Sequence, residues 1–248
     1  MHCNILFNGC SYTFGGELEG LDNDLEYRRT HRFSHLVANH FGMTYDNISI
    51  PGICNDLIVE DTIQWFREGN TCDVAIIQLT YPERTVWYDN EKKSYNIRPN
   101  IIDISKNFRM KRIVSSDQIA RVSKSIEVSK KYYTSIYCDY LGCQNYYKNV
   151  FLLKTYFSLK NIPHVILSSA PPPKSDIGWN MMCNNVMIKN ILGVSGIIGD
   201  KKDHPHYFCE NYAEKLKFHK NYNMYLVGGH PNELGHQKIA DYIIGEIK

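Results

Sequence analysis

Asn4-Ile5-Leu6-Phe7-Asn8-Gly9-Cys10-Ser11-Tyr12-Thr13-Phe14-Gly15-Gly16 begins as a strand-forming run and breaks into a glycine-flanked turn. Gly9 permits a sharp exit from the strand, and Gly15 and Gly16 keep the far side open. A Ser on such a turn becomes a nucleophile when an adjacent base takes its proton. Exposed backbone N–H groups in the turn suit a developing oxyanion. The same turn also fits a plain strand-to-helix connection or a phosphate site. The far end of the chain offers the base: Gly229-His230-Pro231-Asn232-Glu233-Leu234-Gly235-His236, followed by one last amphipathic segment. His is the usual base because its ordinary pKa lies near neutrality.

Between these ends, strand and helix signals alternate, which predicts a parallel sheet with helices on its faces. Strands are expected near Asn4–Asn8, Tyr45–Ile50, Asp73–Leu79 and His164–Ser169. The run Val74-Ala75-Ile76-Ile77 is apolar throughout, as a central buried strand should be. Helices are expected over Arg32–Phe41, ended by Gly42, and from Asn55 or Asp56 as cap to Arg67. A long helical stretch is expected from Asp117 to Leu141, interrupted at Gly142 and resumed over Tyr146–Lys160. The last helix spans Asn232–Ile247, with Asn232 as its cap and Ile239, Ala240, Ile243, Ile244 and Ile247 facing inward. Thr85–Tyr88 and Ser94–Arg98 read as a hairpin that opens an insertion over about 85–116. Residues 174–228 carry no clear pattern.

The chain has 248 residues, 43% of them hydrophobic, which suits one α/β domain with insertions spanning 1–248. A net charge of +2 gives no polyanion signal, so no nucleic-acid partner is expected. The 8 Cys form no CxxC pair and no regular framework, which favours a reducing compartment. No basic leader precedes the first strand, and no apolar run approaches the ~20 residues of a membrane span. A cytoplasmic protein, with no membrane partner, is the expectation. The 18 Tyr, with frequent Asn, Lys and Ile, suit an AT-rich genome such as a phage's.

A Ser turn after the first strand and a His-Pro before the last helix is the order of parts in SGNH (GDSL-like) hydrolases. The chain resembles that family, and more closely its phage-like branch, which carries Gly-Cys-Ser in place of Gly-Asp-Ser. The resemblance implies a three-layer α/β/α sandwich with a central parallel sheet, SGNH- or flavodoxin-like, and an insertion after the third strand. It implies Ser11 as nucleophile and His230 as base. In the family, a Gly after the second strand gives its backbone N–H to the oxyanion hole, and Gly52 stands at that place. Most members then carry Gly-x-Asn-Asp after the central strand. This chain instead has Thr80-Tyr81-Pro82-Glu83-Arg84, as the phage-like branch does. The third oxyanion or substrate-binding group therefore falls to Asn55, Thr80 or Arg84. Arg84 suits a structural ion pair equally well.

The ending departs from the family too. An Asp usually stands two or three residues before the His, where this chain has Gly228 and Val227. The imidazole still needs its second nitrogen bonded, so that the correct tautomer faces the Ser. A backbone carbonyl, or a distant acid such as Asp200 or Asp203, is left for that. The resemblance gives His236 a packing or hydrogen-bonding role. His204, His206 and Cys209, with Cys183, offer metal-ligand types close together, but closed zinc sites have firmer spacings. No metal and no cofactor are expected. The expected function is hydrolysis of an ester, such as an O-acetyl or O-acyl group on a carbohydrate, by a Ser-His dyad or atypical triad. Its alternatives are a non-catalytic glycan- or host-factor-binding module and an acyl transferase.

Overall fold

The computed structural model describes residues 2–16, 18, 25–90, 94–97, 116–169, 192–193, 226–227 and 230–247. Strand β1 (His2–Asn8) leads into a single helical turn, α1 (Ser11–Phe14). Helices α2 (Leu25–His31) and α3 (Phe33–Phe41) precede β2 (Tyr45–Asn47), and α4 (Asn55–Arg67) precedes β3 (Thr71–Leu79). The hairpin β4 (Thr85–Tyr88) and β5 (Ser94–Ile97) follows, then α5 (Ser116–Ser135) and α6 (Asp139–Leu159). The remaining elements are β6 (His164–Ser168), β7 (Leu192–Gly193), β8 (Leu226–Val227), β9 (His230–Pro231) and α7 (Glu233–Ile247).

Among the described residues, one sheet runs β2-β1-β3-β6-β7, and each neighbouring pair in it is parallel. With the hairpin set aside, this is the 2-1-3-4-5 order of doubly wound folds. Period-two alternation along β1 shows how both faces come to be covered. Phe7 turns its ring to Phe33 of α3 at 6.1 Å, edge to face. Leu6 packs with Trp65 of α4, and Asn8 Nδ2 donates to Ile58 O at 3.0 Å on the same helix. α7 lies beside α3, and α6 beside α4. The result is the expected three-layer α/β/α arrangement around a parallel sheet. No helix among the described residues is long and apolar enough to cross a membrane.

Several boundaries differ from the expectation. The second strand ends at Asn47 rather than Ile50, because the Asn47 side chain folds back and accepts the Ser49 N–H at 3.1 Å. Neither Asn55 nor Asp56 caps α4. The cap position is Cys54, with no side-chain bond, and Asn55 turns its amide away from the helix towards Thr80. The long helical stretch breaks at Cys138, not at Gly142, and Gly142 lies inside α6. Its reason there is close approach: a Cβ would meet Tyr137 Oη at 2.9 Å and Pro82 O at 3.3 Å. The hairpin is present as expected, in register Thr85↔Ile97, and it rests on α4. Thr85 Oγ1 donates to Asp56 at 3.2 Å, and Tyr88 Oη donates to Glu60 at 2.6 Å. The part of the insertion from 98 to 115 lies outside the described residues.

The last helix begins as expected, with Gly235 N–H donating to Asn232 Oδ1 at 3.0 Å. One turn in, His236 is fully buried and stacked on Phe33, ring centroids 5.7 Å apart. Its Nδ1 accepts the Phe33 N–H at 3.1 Å, so it serves an orphan donor at the start of α3 that Arg32 leaves uncapped. The ring is neutral. Burial, helped by the positive fields of His230 and Arg32, lowers its pKa from 6.5 to about 3. Below about 6.5 the unfolded chain therefore binds a proton that the folded chain refuses. The stability from neutral His236 is present above that pH and is lost as pH falls towards 3, by about 1.4 kcal/mol per unit. Urea midpoints from pH 7 down to 4.5 should fall more steeply for the wild type than for His236→Leu. Parallel curves would assign the acid sensitivity to other groups.

Candidate active site

The turn after β1 is shaped by close approach. A Cβ at Gly9 would lie 2.5 Å from Thr13 Oγ1 and 2.9 Å from Gln78 Cβ, so only a glycine lets β3 come this near. Cys10 is extended and stands at the cap of α1, Phe14 N–H closes the turn on Cys10 O at 3.1 Å, and Gly15 ends it at φ 82°. Gly16 N–H then donates to Ser11 O at 2.7 Å. A Cβ at Gly16 would lie 3.3 Å from both Cβ and O of Ser11, a tight approach, and in ordinary contact with His230 Cδ2 at 3.5 Å.

Gln78, wholly buried near the end of β3, holds this turn from beneath. Its Oε1 accepts the Thr13 hydroxyl at 2.9 Å and the Cys10 N–H at 3.3 Å. Its Nε2 donates to Leu79 O at 2.8 Å and also to Ser169 Oγ. The Cys10 thiol lies 3.3 Å from the same amide and 3.4 Å from Ser169 Oγ. Burial acts to raise the pKa of that thiol. The Arg84 guanidinium and hydrogen bonds with Ser169, the Tyr12 backbone and Gln78 outweigh it, so the thiol titrates below its ordinary range. Gln78 and Ser169 were not singled out from sequence. The available signal was a lone carboxamide in the apolar run Val74–Leu79.

His230 arrives from the other end of the chain. It sits in β9, paired antiparallel with Val227 of β8. Tyr27 Oη anchors the start of α7 by donating to Glu233 at 3.0 Å. His230 Nε2 lies 2.8 Å from Ser11 Oγ, across 219 residues of sequence. The imidazole meets the Tyr12 ring edge to face, centroids 5.4 Å apart. A hydroxyl and an imidazole from opposite ends of the chain are thus in hydrogen-bond contact, and both are partly exposed.

The other candidates stand on the segments that follow β2 and β3. Gly52 is buried in the turn before α4, at φ 77°, a backbone state in which glycine is favoured. That turn is tied to the Ser11 turn, since Ile50 N–H donates to Gly9 O at 3.1 Å. Asn55 and Thr80 are joined to each other: Thr80 N–H donates to Asn55 Oδ1 at 2.7 Å, and Asn55 Nδ2 donates to Thr80 O at 3.2 Å. Arg84 closes the turn after β3, its guanidinium 5.0 Å from the Tyr81 ring centre. Asp200, Asp203, Gly228, Cys183, His204, His206 and Cys209 lie outside the described residues, as does the side chain of Val227. Among the described residues, no three of His, Cys, Asp or Glu gather as metal ligands would.

No protein-family model matches the chain, and neither does any curated protein sequence. Solved structures of similar shape include an alpha/beta hydrolase enzyme from the metagenome of Lake Arreo, Spain, at 13% identity and TM-score 0.43, covering 98% of this chain and 94% of that one. An acetyl xylan esterase from the rumen bacterium Butyrivibrio proteoclasticus matches at 11% identity and TM-score 0.40, covering 98% of this chain and 62% of that one. A carbohydrate esterase family 2 enzyme with a carbohydrate binding domain, from Corynascus thermopiles, matches at 12% identity and TM-score 0.45, covering 98% and 65%. The chain spans less than two thirds of the last two. What the site can do is therefore decided by its own geometry.

The buried amide makes a stability prediction. Gln78→Met fills similar space but removes the acceptor of the Cys10 N–H and the Thr13 hydroxyl. It should destabilise the fold by about 1–3 kcal/mol in urea unfolding. Gln64→Met, at an exposed amide, should stay within about 0.5 kcal/mol of wild type. Equal effects at the two sites would show that the Gln78 network contributes nothing to the turn.

Proposed function

We propose that the chain is a serine esterase of SGNH type, acting on an ester such as an O-acetyl or O-acyl group of a carbohydrate. The 2.8 Å contact between Ser11 Oγ and His230 Nε2 carries this reading. With Nε2 unprotonated, the Ser11 hydroxyl donates to it, and Nε2 takes the proton as Oγ attacks the ester carbonyl. In this reading the backbone N–H groups of Ser11 and Gly52 receive the oxyanion. The tetrahedral adduct collapses, and His230 returns the proton to the departing alcohol oxygen. A water, deprotonated by the same Nε2, then attacks the acyl-Ser11 and releases the acid. Asn55 positions the end of β3 in this assignment, since its amide is engaged with Thr80 on both sides. Tyr132, Tyr133 and Tyr137, with ring centroids 5.2–6.0 Å apart, supply aromatic faces near the Thr80–Arg84 turn suited to a sugar ring.

Val227 and Gly228 stand where the family carries an acid, so in this reading a backbone carbonyl is the expected partner of His230 Nδ1 in the working site. A carbonyl fixes the tautomer but brings no full charge to the imidazolium, so turnover on unactivated esters should be slow. Wild type should be labelled at Ser11 by a fluorophosphonate probe and should hydrolyse p-nitrophenyl acetate. Ser11→Ala and His230→Ala should each lower kcat by about three orders of magnitude or more, and the double variant should be little worse, because the two act as a unit. An unlabelled Ser11, together with equal turnover by wild type and Ser11→Ala, would reject catalysis and leave the non-catalytic binding module.

A further inference from the structure

The turn Thr80-Tyr81-Pro82-Glu83-Arg84 is held from several sides. Asn55 brackets Thr80 by its N–H and its carbonyl. Arg84 N–H donates to Tyr81 O at 3.2 Å, which closes the turn. Tyr133 Oη donates to Glu83 O at 2.7 Å, and Gly142 lets the α6 backbone lie against Pro82. A turn braced in this way holds its side chains in place before any ligand arrives.

Two polar atoms in it are buried without a hydrogen-bond partner: Thr80 Oγ1 and Arg84 Nη1. No carboxylate among the described residues forms an ion pair with Arg84. The Glu83 carboxyl, next to it in the turn, feels its positive charge without forming an ion pair with it. An orphaned guanidinium N–H in a buried place is uncommon and asks for an anion or a water. The guanidinium fork matches a carboxylate geometrically, with two parallel N–H donors for its two oxygens.

The turn also lies at the right edge. Asn8 of β1 and Ile77 of β3 are partners in the sheet. Ser11 and Thr80 each stand three residues beyond that pair, at the C-terminal ends of adjacent strands, where doubly wound folds bind ligands. The field of Arg84 is felt by the Cys10 thiol, immediately before Ser11.

We propose that Arg84 is the anion-receiving side chain of a subsite beside Ser11, and that the ester bound there carries a carboxylate on its acyl or its alcohol part. This rests on the esterase reading for the fate of the ester but not for the binding of the anion. The two sources of carboxylate are separated by two substrate pairs. 4-Acetoxybenzoate and its methyl ester place the charge on the alcohol side. Mono(4-nitrophenyl) succinate and its methyl ester place it on the acyl side.

The readout is the ratio of kcat/KM for the anionic over the neutral member of each pair. In at least one pair, the wild-type ratio should exceed that of Arg84→Gln by about tenfold or more, with Arg84→Lys between them. Circular dichroism establishes that each variant is folded. Ratios unchanged by Arg84→Gln in both pairs would overturn the subsite while leaving the esterase standing. If no ester is turned over and Ser11 is not labelled, the esterase reading falls and calorimetry on Ser11→Ala decides the subsite. Binding of an anionic ester about tenfold tighter than its methyl ester, with the preference lost in Ser11→Ala/Arg84→Gln, would uphold it. Equal affinities, or no binding, would overturn it.

Discussion

The geometry of the candidate site depends on one carboxamide. Gln78 stands wholly buried among apolar strand residues, and every polar atom of its amide is engaged. Its oxygen faces the turn after β1, and its nitrogen faces the ends of β3 and β6. A buried amide with both ends satisfied joins these strand ends at fixed distances, and leaving either end unmet is unfavourable. Three consecutive strands of the sheet are thereby locked at their C-terminal edge. Ser11 stands one residue beyond a backbone N–H held by this amide, so its position follows from Gln78 more than from anything Ser11 itself contacts.

The strand order explains why such a lock falls at this place. In a doubly wound sheet, the chain leaves β1 to one side and β3 to the other, which opens a crevice at their C-terminal ends. β1 leads into the Ser11 turn and β3 into the Thr80–Arg84 turn. The third contribution, His230, comes from outside the sheet order and needs its own anchorage. α7 supplies it: Asn232 caps the helix, Tyr27 holds Glu233, and His236 bonds the start of α3. The buried His236 is thus a structural relative of Gln78, a polar group that places an element rather than reacting.

Much of this was legible in the chain. Val74–Leu79 announces a buried strand by its unbroken apolar run, and Gly42 and Asn232 mark helix ends by local chemistry. The Ser11 turn and the His230-Pro231 pair were readable as motifs because each is short and contiguous. What was hidden involves partners distant in sequence. The Gln78–Cys10 contact spans 68 residues and the Asn55–Thr80 pair 25, so neither leaves a local pattern. Asn55 stands where a cap is expected, and only the approach of β3 shows why its amide turns elsewhere. Gly142 carried a helix-breaking signal locally, yet the neighbouring turn at Pro82 needs its missing side chain. α2 was missed because Leu25–His31 has no long apolar stripe, and Arg28 is its sole buried residue.

Cys10 and Ser11 place two nucleophile types side by side, and the structure separates their roles by access rather than by intrinsic reactivity. A thiol is the stronger nucleophile, and the surroundings of Cys10 favour its thiolate. Yet Cys10 is 1% exposed and turned inward to Gln78 and Ser169, so no carbonyl can approach its sulfur. Ser11 is half-buried on the outer side of the same turn, with an imidazole nitrogen at 2.8 Å. The inward thiol completes the polar network that fixes the turn, and the positive charge of Arg84 acts on it. A negative group bound at the proposed Arg84 subsite would meet the same charge.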